Sequence, residues 1–112
     1  MSDKLTLIAI IIVHLISDFI LQTDEMAKGK SKSNKWLTIH VLVYTFPFFI
    51  FGWKFAILNG AFHFVTDYLT SRLSSKMWSQ NRVHDFFVVI GADQALHMIV
   101  LVLSMPLIWW LR

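Results

Sequence analysis

Apolar and polar residues fall in blocks along the chain. Four apolar stretches, at residues 5–21, 37–52, 55–71 and 86–111, are set off by polar, basic connectors at 22–36 and 72–85. The second and third stretches meet at "GWK". A helix crosses ~30 Å of hydrocarbon with about 20 residues, within a range of roughly 17–25. The pattern therefore predicts an all-α chain, one domain over residues 1–112, with four transmembrane helices forming two repeated hairpins. The middle two stretches are short, and read as a tight hairpin in a locally thinned bilayer or, alternatively, as a re-entrant pair. Pro47 and Pro106 lie inside predicted spans, where each removes a backbone donor and can kink its helix. Ala56 with Gly60, and Gly91 with Ala95, have the small-residue spacing of close helix packing.

Composition strengthens the membrane reading. The chain is 56% hydrophobic and 15% aromatic, with mean hydropathy +0.60. A soluble domain of this size has too much surface to hide that much apolar material. There is no cysteine, which excludes disulfides and thiolate metal sites. The first apolar run has no Ala-x-Ala-type exit, so a cleavable signal is not expected.

Lys and Arg set a direction. The long connectors hold Lys28, Lys30, Lys32, Lys35, Arg72, Lys76 and Arg82, whereas the other side holds Lys4, Lys54 and Arg112. The expectation is a multi-pass protein of a bacterial inner membrane, with cytoplasmic connectors and both termini outside. Trp36, Trp53, Trp78, Trp109 and Trp110 fall near span ends, as an aromatic belt would. Membrane lipids are the expected partners, and the small residues allow a homo-oligomer. The basic run "KGKSKSNK" borders a span and reads as a topology signal, not a nucleic-acid surface. No phosphate-cradling Gly-rich loop and no Gly-x-Ser-x-Gly is present.

Against this apolar background the polar residues stand out. His14 pairs with Asp18, His40 with Tyr44, His63 with Asp67, and Asp93 with His97, each four apart and so on one helix face. Counted inward at ~1.5 Å per residue, Asp18, His40 and Asp67 fall about one turn from the cytoplasmic end. His14, Tyr44, His63 and Asp93 fall about two turns in, and His97 about three. Helices of alternating direction would thus gather these groups in one slab. "HLISDFI" and "HFVTDYL" also match position by position, which predicts two hairpins meeting across an axis. His84 and Asp85 read as interfacial.

Ionisable groups in hydrocarbon are costly and usually serve function. His and Asp are ligands for zinc, with manganese or iron as alternatives. His14, Asp18, His40, His63, Asp67, Asp93 and His97 are the expected ligands or immediate partners of one or two divalent ions. Three carboxylates and a hydroxide would neutralise two such ions. Four-helix bundles build dinuclear sites from inward ligands of this kind. A bound ion would lower the pKa of its water and make a nucleophile. The expected activity is metal-dependent hydrolysis at the inner leaflet, with Tyr44 donating to an oxyanion and Gln94 orienting a ligand or touching substrate. The competing accounts are a metal-free proton or cation relay in a transporter or channel subunit, and hydrogen-bond glue between helices. Bis-histidine haem finds no further signature in the chain.

The segments "HLISDFILQTDEMAKGK", "IHVLVY", "HFVTDYLTSR" and "DQALH" together resemble the small bacterial and phage membrane proteins of domain-of-unknown-function family 3307. The resemblance covers nearly the whole chain. It implies that His14, Asp18, Gln22, Asp24, His40, His63, Asp67, Asp93, Gln94 and His97 are recurrent polar positions. A more distant likeness, by residue type, is to membrane-bound metal-dependent hydrolases.

Overall fold

The chain punctuates its helices with specific residues. In the computed structural model, which describes residues 1–111, all regular elements are helical. Helix α1 (Asp3–Leu15) starts at Ser2, whose side chain accepts the Leu5 N–H at 3.2 Å and satisfies a free donor of the first turn. A single π turn follows over Ile16–Ile20, closed by the Leu21 N–H donating to the Ile16 carbonyl at 2.9 Å. The widened turn places Ser17 and Asp18 inside. Helix α2 (Asp24–Gly29) is capped by Thr23. Trp36 lies flush on Gly29, where a Cβ would come within 2.5 Å of its ring. That contact fixes the short bend that carries Lys30.

Helix α3 (Asn34–Thr45) ends where Pro47 begins a 3₁₀ segment, Phe46–Phe51. Gly52, at φ 113°, makes the corner into α4 (Trp53–Ser79), a conformation that only glycine adopts without strain. The segment "SRLSSKMWS" contains no Gly or Pro, so α4 continues through most of the expected 72–85 connector. Asn81, at φ 58°, turns the chain into α5 (Val83–Leu103). α4 packs along both α3 and α5. Beyond α5, the Trp110 indole donates to Thr6 Oγ1 at 2.8 Å and the Trp109 indole to the Ile50 carbonyl at 3.1 Å.

The four-transmembrane-helix architecture does not hold, although the all-α class does. Val83–Leu103 is the one helix among the described residues long and apolar enough to cross a membrane. At ~1.5 Å per residue, the 13 residues of α1 and the 12 of α3 reach only about 20 Å, because the π turn and Pro47 end them early. α4 has the length, but Lys54, Asp67, Arg72 and Lys76 interrupt its apolar run. With one such helix, the Lys/Arg count no longer fixes an orientation, and Arg112 lies outside the described residues.

An apolar core of Ile10, Tyr44, Phe48, Phe51, Phe55, Ala56, Leu101 and Ile108 fills one end of the bundle. Gly60 lets α3 and α4 close on each other: a Cβ there would collide with Thr45 Oγ1. Gly91, in contrast, faces open space, so the expected Gly91–Ala95 seam packs against nothing within the chain. Tyr44 joins the core to what lies beyond. Its ring centroid is 4.9 Å from that of Phe48 on one side and 3.8 Å from that of His63 on the other.

Candidate metal centre

Above Tyr44 the interior becomes polar. Asp18 arrives from the π turn, His40 from α3, and His63 with Asp67 from successive turns of α4. All four are at most 4% exposed. His40 Nε2 lies 2.9 Å from His63 Nε2, 3.2 Å from Asp18 Oδ1 and 3.1 Å from Asp67 Oδ2. His63 Nε2 lies 3.5 Å from Asp18 Oδ1 and 3.2 Å from Asp67 Oδ2. Ligands at ~2.0–2.1 Å around a tetrahedral zinc are about 3.3–3.4 Å apart along each edge. Four of the five separations are somewhat shorter than that edge and one is slightly longer.

Hydrogen bonding alone accounts poorly for this convergence. A single His40 Nε2–H cannot serve three acceptors at once. Asp67 Oδ2 is buried close to both imidazoles, yet no donor makes a hydrogen bond to it. The four ligand atoms all lie within 4.8 Å of one another, and these residues could hold a metal ion. Two carboxylates would offset the charge of one divalent ion in a buried place. The Nδ1 atoms of His40 and His63 find no hydrogen-bond partner, so packing orients the rings, through Tyr44 in the case of His63.

The remaining expected residues form a second layer. His14 is engaged at both nitrogens: Nδ1 is 3.0 Å from Tyr44 Oη and Nε2 is 2.8 Å from Gln94 Oε1. The Gln94 amide then donates to Asp18 Oδ2 at 3.0 Å and to Asp93 Oδ2 at 3.2 Å. In the neutral tautomer that this chain selects, Tyr44 donates to Nδ1 and Nε2–H donates to Gln94. His14 thereby holds Gln94, and Gln94 holds Asp18. The Tyr44 hydroxyl, committed to His14 and buried, does not face the cavity where an oxyanion would form.

His97 lies 3.5 Å from Asp67 Oδ1, 3.6 Å from Asp93 Oδ2 and 3.9 Å from Asp18 Oδ2. It forms triples in ligand range with Asp67 and Asp93 and with His14 and Asp18. Asp18 and Asp67 each point one oxygen at the tight quartet and the other toward His97. The "HLISDFI" and "HFVTDYL" copies therefore diverge: the second contributes both its His and its Asp to the quartet, the first only its Asp.

A cavity of about 250 Å³ opens beside the quartet, with Asp18, Asp67, Asp93 and Gln94 in its wall. Three further residues belong to this region. Lys30 Nζ is 3.5 Å from Asp67 Oδ2, and Thr70 Oγ1 donates to Asp93 Oδ1. Ser71 is buried against the cavity. Thr70 and Ser71 were visible as Asp67 plus three and plus four, the same helix face. Lys30 carried no local signal, because its position depends on the bend at Gly29.

The match to a family model covers residues 6–112, and the family is described as a protein of unknown function, DUF3307. The chain belongs to that family. Family membership takes in the quartet and every residue of the second layer, but its description carries no activity. No curated protein and no solved structure matches the chain.

Proposed function

We propose that this DUF3307 chain holds one divalent ion, zinc by preference, at Asp18, His40, His63 and Asp67, and hydrolyses an ester or phosphoester entering the adjacent cavity. The observation that carries the reading is the convergence of four buried ligand atoms, five of whose separations lie between 2.9 and 3.5 Å. A divalent ion held by these residues with one position left open to the cavity would supply a water of lowered pKa and a Lewis acid. Asp18 and Asp67 form the cavity side of the quartet, so a water or substrate oxygen approaches from there. Asp93, gripped by Thr70 and Gln94, presents its carboxyl to the same space and is suited to accept the proton. Gln94 keeps Asp18 turned toward the ion.

The proposed setting is a membrane, a bacterial inner membrane by expectation. Large apolar side chains lie outward on α1, α3, α5 and the 3₁₀ segment, including Ile8 (53% exposed), Phe46 (78%) and Leu103 (74%). Contiguous exposed apolar surface is the mark of a lipid or protein contact.

A panel of phosphoester and acyl-ester substrates tests the activity. Turnover that requires added zinc and falls more than ~100-fold in Asp93→Asn would support it, general acid–base groups contributing ~10²–10⁴. Zinc-loaded protein without turnover on any member would count against it. The hydrogen-bonded chain Tyr44–His14–Gln94–Asp18 favours one alternative, a proton relay without metal. Proton flux into liposomes that depends on His14, with no metal bound, would favour that account.

A further inference from the structure

The site cavity is the inner half of a larger passage. A second cavity of about 460 Å³ shares Ala27, Lys30, Ser71, Ser74 and Phe86 with it. The two chambers differ in character. Three carboxylates line the inner one, Asp18, Asp67 and Asp93. The outer wall carries Lys28, Lys30 and Lys32 and, among the described residues, no acidic side chain. Lys28 and Lys32 form no ion pair among the described residues. Lys30 sits at the junction, 3.5 Å from Asp67 Oδ2.

Two further features define the ligand. Ser71 is 7% exposed and lines both chambers, and its hydroxyl has no hydrogen-bond partner. A buried donor without a partner is costly unless something else fills its place. Part of the outer chamber's wall is aromatic. Trp78 and Phe86 pack with ring centroids 5.0 Å apart, and Phe87 extends that wall to the surface. Clustered ammonium groups with hydroxyls receive phosphate oxygens. An exposed aromatic wall receives an apolar chain, and its indole suits a boundary between apolar and wet surroundings.

We infer that the outer chamber binds an amphiphile whose phosphate headgroup carries net negative charge, its phosphate held by Lys28, Lys30, Lys32 and Ser71 and its apolar chain lying on Trp78, Phe86 and Phe87. The inference names a substrate class for the proposed metal site and rests on that reading only for turnover. Binding stands on the passage alone.

The test is equilibrium binding to the full chain in a non-ionic detergent, with and without chelator. The probes are dihexanoyl phosphatidic acid, the uncharged-overall dihexanoyl phosphatidylcholine, and inorganic phosphate. Phosphatidic acid is expected to bind at least tenfold more tightly than either other probe, in both metal states. Lys28→Gln with Lys32→Gln should weaken it at least tenfold and Ser71→Ala several-fold. Lys35→Gln with Lys76→Gln, lysines outside the chamber, should leave it unchanged. Helix content by circular dichroism confirms that each variant folds. Equal binding of the phosphatidylcholine, or no loss in the Lys28/Lys32 variant, would overturn the proposal. Inorganic phosphate binding as tightly as the lipid would remove the amphiphile from it. Binding that persists after the chelator strips all metal keeps this result separate from the fate of the hydrolase reading.

Discussion

His40 and His63 come from different helices, yet their Nε2 atoms lie 2.9 Å apart, each within 3.5 Å of the same two carboxylate oxygens. The approach depends on Gly60, one turn before His63, and Thr45, just beyond Tyr44. Any added atom at Gly60 strikes Thr45 Oγ1. We expect Gly60→Ala to destabilise the chain by about 1–3 kcal/mol, the usual cost of overpacking, and to weaken metal binding by spreading α3 from α4. Thr45→Ala in the same chain should restore part of both. Thermal melts and a metal competition titration read the two effects. Undiminished metal affinity in Gly60→Ala would show that the helix contact does not set the ligand spacing.

Gln94 touches His14, Asp18 and Asp93 at once. Gln94→Leu keeps the shape and removes all three contacts. Outer-layer changes of this kind cost ~10–100-fold in metal affinity, and that is the loss expected here with helix content preserved. An unchanged affinity would mean that Asp18 is held without Gln94.

Protons and metal compete for the same lone pairs on imidazole and carboxylate. Metal affinity should therefore fall steadily as pH drops from ~7 to ~5, with protons taken up as the ion leaves. Dialysis at a series of pH values followed by metal analysis measures it. A site that keeps its metal fully through this range would not be one built on two histidines.

A methyl group at Gly91 of α5 would meet no atom of the chain within 4 Å. Gly91→Ala should accordingly raise stability by about 0.5–1 kcal/mol through helix propensity. A loss of stability instead, together with a smaller particle in size-exclusion chromatography, would show that another copy packs on this face.

The candidate ligand set was legible in the sequence because burial of His and Asp is costly enough to leave a periodic trace. The i,i+4 pairs in "HLISDFI" and "HFVTDYL" marked residues that do come together inside the bundle. Which of them converge was not legible. His14 and His63 occupy equivalent places in the two copies, but a π turn beside Asp18 and the neighbours Tyr44 and Gln94 turn His14 to another task. Hydropathy also overstated the number of spans. It counts apolar residues, whereas the α-helical stretches Asp3–Leu15 and Asn34–Thr45 are short and pass into a π turn and, at Pro47, a 3₁₀ segment. Lys30 escaped notice because a basic residue between apolar runs looks like any other. Only the packing of Trp36 on Gly29 turns its segment toward Asp67.

Metal content decides most directly whether the quartet is a metal centre. Full-length protein, purified without chelator and dialysed against zinc, should retain one ion per chain by elemental analysis. His40→Ala with His63→Ala should lose it, whereas His14→Ala should retain it with weakened affinity. No ion above background in the unmodified protein, or equal retention in the His40/His63 variant, would contradict the account.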